Sequence, residues 1–194
     1  MNKSDKRSDI LQVTLELIAE RGFHDAPMSE IAGKAHVAAG TIYRYFENKD
    51  ILINELFREI GDKLLEAILN NYPEGKPVQE QFSHVFGELC RYFLTNPLHF
   101  RYMEQFFNSP YGISKRRDKL SGKNIHQDKR DTLQEIFDEG ISKLILKDLP
   151  MSVLSSLAIG PMLYVIRDHT LGFVVLDESL IRRITEACWD AIKR

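Results

Sequence analysis

A chain of 194 residues with 43% hydrophobic content is long enough for a small domain followed by a larger one, each with its own core. The net charge of -2, with seven Lys or Arg against eight Asp or Glu in the first fifty residues, excludes any argument for nucleic-acid binding from bulk basicity. No apolar run approaches the ~20 residues of a membrane span, the polar stretch Met1 to Asp9 is no signal peptide, and Cys90 and Cys188 lack metal-ligand spacing, so a cytoplasmic chain with two buried thiols is expected.

The pattern is all-α throughout, with about nine helices. The first runs from about Lys6 to Arg21, with Ile10, Leu11, Thr14, Leu17 and Ile18 at helical spacing. Gly22 supplies a left-handed stop, and Phe23 can fold back on Ile18. Pro27 suits the first turn of a second helix whose buried face continues through Ile31 and Ala35. A third is expected from Ala39 to Phe46. At about 100° per residue, Ile42 and Phe46 fall together while Gly40, Thr41 and Arg44 lie opposite, flanked by Tyr43 and Tyr45. Two short helices about a tight turn have the outline of a helix-turn-helix, and a helix this short must be held by neighbours.

Asn48 is placed to cap a long helix from Lys49 to about Asn70, with the stripe Leu52, Leu56, Ile60, Leu64 and Ile68. The breaker segment Asn70 to Pro77 follows. It divides the chain into a small N-terminal helix-turn-helix domain, residues 1–50 continuing into the first turn of the Lys49 helix, and a larger helical domain, residues 51–194. Val78, Phe82, Val85, Phe86, Leu89, Cys90 and Phe93 mark the next helix, stopped at Asn96-Pro97, and Leu98 to Asn108 a short aromatic one. Ser109 to Arg130 is the most basic part of the chain and reads as a solvated loop feeding an exposed helix face. A helix from about Ile125 to Glu139 ends at Gly140, and Leu144 to Leu146 is ambiguous. Pro150 to His169 is helical and expected to kink at Gly160-Pro161, and Glu178 to Lys193 is the last helix.

The run Ile10 through Ala19, Gly22-Phe23, Met28-x-x-Ile31-Ala32, Ala35-x-Val37-x-x-Gly40-Thr41-Ile42-Tyr43-x-Tyr45-Phe46-x-x-Lys49-x-x-Leu52 closely resembles the DNA-binding domain of the TetR family of bacterial transcriptional regulators. The resemblance covers about the first quarter of the chain at many fixed spacings. His36 stands where that family usually has Gly, which argues against a standard turn, and Ala38 stands where a Ser or Thr cap is usual, at a cost of about 1 kcal/mol.

The resemblance implies a homodimer that reads a palindromic double-stranded operator with two copies of the Ala39 helix. Thr41, Tyr43 and Lys49 then correspond to phosphate contacts, Gly40 to a close backbone approach, and Tyr45 to a backbone or base-edge contact. Arg44 is the candidate for a base contact, because a guanidinium can pair with guanine O6 and N7. A small, largely apolar effector is implied as well, with Phe93, Phe100, Tyr102, Met103, Phe106, Phe107, Met162 and Tyr164 as pocket candidates. For any single one of these residues an ordinary core role is the better expectation. Leu154, Ala158, Ile181, Ile184, Cys188 and Ile192 are dimer-interface candidates on the last two helices, the alternative being an intrachain core. No catalytic motif, metal site or cofactor is indicated. The competing reading is a helical scaffold that keeps the fold without sequence-specific DNA binding.

Overall fold

The computed structural model describes residues 3–120 and 131–194, with side chains described over 6–116 and 131–194. Among the described residues there are ten helices: α1 (Lys3–Arg21), α2 (Met28–Lys34), α3 (Ala39–Ile42), α4 (Lys49–Leu69), α5 (Val78–Thr95), α6 (Pro97–Phe107), α7 (Pro110–Leu120), α8 (Thr132–Ser142), α9 (Met151–Thr170) and α10 (Glu178–Ile192). Extended pairing among them is limited to one isolated antiparallel bridge, Leu146 with Lys193.

Local chemistry explains most of the boundaries. Gly22 adopts φ +86°, and its amide closes α1 by donating to the Ile18 carbonyl at 2.9 Å. Asn48 Oδ1 accepts from the Ile51 amide at 2.9 Å, so α4 begins where the sequence puts its cap. Asp131 and Asp177 cap α8 and α10 in the same way. Pro161 lies inside α9 without ending it.

The helix that the sequence pattern misses is α7, which occupies the first half of the segment read as a basic loop. Its start is made by Ser109, whose hydroxyl donates to the Phe106 carbonyl at 2.6 Å and whose own carbonyl accepts from Ile113 at 3.0 Å. The remainder of that segment, with the predicted helix start at Ile125, falls outside the described residues. Leu144, in the ambiguous apolar run, is left-handed at φ +57°.

Packing divides the chain into two compact units that interleave along the sequence: Met1–Lys63 with Asn96–Gln127, and Leu64–Thr95 with Asp128–Arg194. This division differs from a cut after residue 50, because α6 and α7 pack with α1 to α4. In the first unit, Ile10, Leu17, Ile18, Ile31, Ile42, Phe46, Leu52, Ile53, Phe100, Tyr102 and Phe106 are almost fully buried.

The second unit is built from α5, α8, α9 and α10. Phe82 stacks on Phe86 at 4.0 Å and meets Trp189 at 5.2 Å. Arg91 on α5 holds Glu178 on α10 through contacts of 2.8 to 3.2 Å. The buried amide of Gln81 is satisfied at both ends, accepting from Tyr72 Oη at 2.5 Å and donating to the Lys76 carbonyl at 2.7 Å.

Candidate nucleic-acid interface

The reading element is set by a few buried anchors. Ile31 and Ala32 on α2, Val37 in the turn, and Ile42 and Phe46 at and beyond α3 are all buried. The turn keeps its ladder, since the amides of Ala35, His36 and Val37 donate to Ile31, Gly33 and Ala32 at 2.9 to 3.1 Å. His36 sits at φ +53°, the left-handed conformation that glycine adopts without strain. The turn geometry is therefore the one a glycine would give, despite the histidine.

α3 is shorter than the Ala39 to Phe46 helix expected from sequence. Only Ala39–Ile42 is α-helical; after it the amides of Arg44 and Tyr45 donate three residues back, at 3.1 Å each, in tight turns. The outward set survives this change. Ala39, Gly40, Tyr43 and Arg44 are exposed, while Thr41 and Tyr45 are half-buried. A side chain at Gly40 would meet no other atom within 4 Å, so packing inside the chain does not demand this glycine. Among the described residues no carboxylate pairs with Arg44.

Two cations of the first fifty residues, Arg7 and Lys49, are held by partners within the first unit. Arg7 bonds Glu55, lies 3.8 Å from Glu59, and covers the Phe46 ring at 5.5 Å, tying α1 to α4. Lys49 donates to the Phe23 carbonyl, and burial lowers its pKa against the opposing pull of Asp50 and Asp25. The Lys49 side chain is thus a strut between the end of α1 and the start of α4. The side chain of Lys3 is outside the described residues.

The sequence gives no hint of what braces this element from behind. Gln105 on α6 donates to the Ile18 carbonyl at 2.9 Å, and Tyr102 Oη donates to the Ile53 carbonyl at 2.6 Å. Tyr111 on α7 donates to Asp50 Oδ1 at 2.7 Å. Burial, then Asp50, push the Tyr111 phenol up to about 12, so it stays a donor at neutral pH. Phe23 meets Tyr102, Phe106 and Tyr111 at 5.5 to 6.5 Å, and Phe57 stacks on Phe106 at 4.0 Å. Aromatic density in α6 was the only signal available, and it pointed to a pocket.

The effector-pocket candidates divide between the units. Phe100, Tyr102, Met103 and Phe106 are buried in the core of the first, Phe93 and Met162 are buried in the second, and Phe107 and Tyr164 are exposed. Of the dimer-interface candidates, Leu154, Ala158, Ile181, Cys188 and Ile192 are buried within their own unit, and Ile184 is half-buried. A side chain already enclosed by its own chain has no surface to offer a partner. The exposed apolar positions on α9 are Val153, Leu157 and Tyr164. Burial raises the pKa of both thiols, that of Cys90 to about 11, so neither is a ready nucleophile. No described helix is long and apolar enough to cross a membrane, and no cluster of three metal-ligating side chains occurs among the described residues.

Comparison with known proteins agrees with this geometry. Residues 10–56 match the model of bacterial regulatory proteins of the tetR family, and residues 77–193 match a tetracyclin repressor-like C-terminal domain. A Haemophilus influenzae protein named an uncharacterized HTH-type transcriptional regulator is 24% identical over 193 residues, 99% of this chain and 98% of that one. A fatty acid metabolism regulator protein of Bacillus subtilis is 35% identical over 86 residues, 44% of each chain. The crystal structure of a TetR family regulator from Marinobacter aquaeolei superposes with a TM-score of 0.82 at 24% identity, covering 98% of this chain and 96% of that one. With an exposed, rigidly backed reading element at one end and a matching C-terminal domain over most of the rest, the chain belongs to the TetR family of helix-turn-helix transcriptional regulators.

Proposed function

We propose that the protein is a ligand-responsive repressor that binds a palindromic operator as a homodimer in the cytoplasm and is released by a small, largely apolar effector. The observation that carries the DNA half is the exposure of Ala39, Gly40, Tyr43 and Arg44 on a turn anchored by buried Ile42 and Phe46. Gly40 allows the backbone to approach phosphate closely, Thr41, Tyr43 and Tyr45 supply hydroxyls, and Arg44 reads a base edge. Lys49 serves as a strut behind them. Two such elements must lie about 34 Å apart, one turn of DNA, or somewhat further.

The effector half rests on α4, which contributes Lys49 to Lys63 to one unit and its last turns to the other. An effector that favours one tilt of α4 changes how the reading elements are presented, and it can shift the equilibrium only by its differential affinity for the two arrangements. The Bacillus subtilis relative is named for fatty acid metabolism, so acyl compounds are the first to screen.

Selection of bound DNA from a random pool tests the reading. A recovered palindrome with half-sites one turn apart is the expected result. Recovery of no common sequence would favour the scaffold reading and end this one.

A further inference from the structure

Among the described residues, a single buried side-chain oxygen has no hydrogen-bond partner: Thr132 Oγ1 in the second unit, on a residue 4% exposed. The other buried polar side chains are met by the chain itself. Thr14, Ser109 and Thr185 donate to the carbonyls of Ile10, Phe106 and Ile181 at 2.6 to 2.9 Å, and Gln81 is bonded at both ends of its amide. A hydroxyl left unmet in an apolar interior costs stability, and it calls for a partner from outside the chain.

The surroundings of Thr132 narrow what that partner is. It is the first residue of α8 and lies on the inward face that Ile136, Phe137 and Gly140 continue at helical spacing. At the Gly140 end this face is closed, since a Cβ there would lie 2.6 Å from the Leu146 side chain and 3.4 Å from Val78 Cγ1. Thr132 stands roughly 12 Å away, at the end towards which the side chains of a helix lean. There Asp131 accepts from the Gln134 amide at 3.2 Å through Oδ1 and from the Glu135 amide at 3.0 Å through its carbonyl. The amides of Thr132 and Leu133 have no partner among the described residues, so three donors gather at one helix end. The Asp131 carboxylate shares that end, and no Lys, Arg or His side chain is buried in the unit among the described residues. An anion would meet Asp131 and no buried cation, whereas a neutral acceptor meets the donors without the cost of burying a charge.

We infer that the first turn of α8 holds the polar group of the effector, with Thr132 Oγ1 donating to the neutral carbonyl oxygen of an ester or amide on an otherwise apolar molecule. The inference rests on the effector reading above and narrows its ligand class: acyl esters and amides bind in preference to free carboxylates. The remainder of the ligand is apolar because the face that leads away from Thr132 is apolar.

The test titrates methyl octanoate, N-methyloctanamide and octanoate into the full chain and into its Thr132→Val and Thr132→Ser variants by calorimetry. Wild type and the serine variant should bind the ester and the amide about tenfold or more tighter than octanoate, and the valine variant should lose about tenfold in affinity for the ester. Octanoate bound as tightly as the ester overturns the ligand class, and an ester bound equally by Thr132→Val overturns the residue. Ester and amide both failing to bind wild type overturns the proposal. A compound of any class that releases operator DNA equally well from wild type and Thr132→Val also sinks this site and leaves the effector reading standing. A broad set of apolar compounds, none of which releases the operator, removes the effector reading with it.

A second measurement needs no ligand. Valine has the shape of threonine without the unmet hydroxyl, so the ligand-free Thr132→Val chain should melt at the same temperature as wild type or higher, followed by circular dichroism. A lower melting temperature shows that the hydroxyl already has a partner in the free protein, such as a bound water, and overturns the proposal.

Discussion

Arg44 and His36 sit eight positions apart on one small element, and each tests a different property of it. If Arg44 pairs with a guanine edge, Arg44→Ala should relax preference at one operator position by about 1–3 kcal/mol while leaving the other positions intact. A uniform loss across all sequences in competition binding would reassign the residue to phosphate. His36 keeps a left-handed φ of +53° without the freedom of glycine. His36→Gly removes that strain and adds freedom to the unfolded chain, so a net stabilisation of about 0.5 kcal/mol is expected in urea unfolding. A clear loss of stability would show that the imidazole makes a contact that outweighs its backbone.

At the scale of elements, α6 and α7 are the parts whose role sequence conceals. The starts and stops set by Gly22, Pro27, Asn48 and the Asn70 to Pro77 breakers were legible because each acts within a few residues. The bond from Gln105 to Ile18 spans 87 positions and has no local signature, so nothing in the pattern of α6 announces that it braces α1. α7 was illegible for another reason: its residues Lys115, Arg116, Arg117 and Lys119 leave no apolar stripe for a pattern to follow. The corner between these helices is tight. A Cβ at Gly112 would lie 2.3 Å from the Phe106 carbonyl oxygen and 2.5 Å from Phe107 Cα, backbone atoms that cannot swing away. Gly112→Ala should therefore destabilise the unit by about 1–3 kcal/mol in thermal or urea unfolding, and a neutral result would mean that the corner is freer than its geometry.

A second prediction at this scale concerns His99 on α6. Burial first, and then Lys63, lower its pKa, with Glu59 acting in the opposite sense. The folded chain therefore binds this proton less readily than the unfolded chain. Stability from this site is complete above the ordinary histidine value of about 6.5 and declines as pH falls below it. Melting temperature against pH for wild type and His99→Gln should separate in that window and run parallel above it. Parallel curves throughout would remove His99 from the account.

For the whole molecule, the weakness of a single reading element is the central constraint. Four helical residues and a handful of side chains make a small contact, which is why the proposed repressor sets a pair of elements on one duplex. Pairing turns the second half-site into an intramolecular event, and it can be removed without touching the DNA-facing residues. Leu157→Lys with Tyr164→Lys puts two charges on the exposed face of α9, in the unit that does not contain the reading element. Operator affinity should fall by about a hundredfold or more, while weak binding to random DNA, which needs only one copy, changes little. The control is a duplex carrying one half-site: wild type should bind it about as poorly as the variant binds the full operator. If wild type held one half-site as tightly as two, pairing would contribute nothing and the protein would read DNA as a monomer.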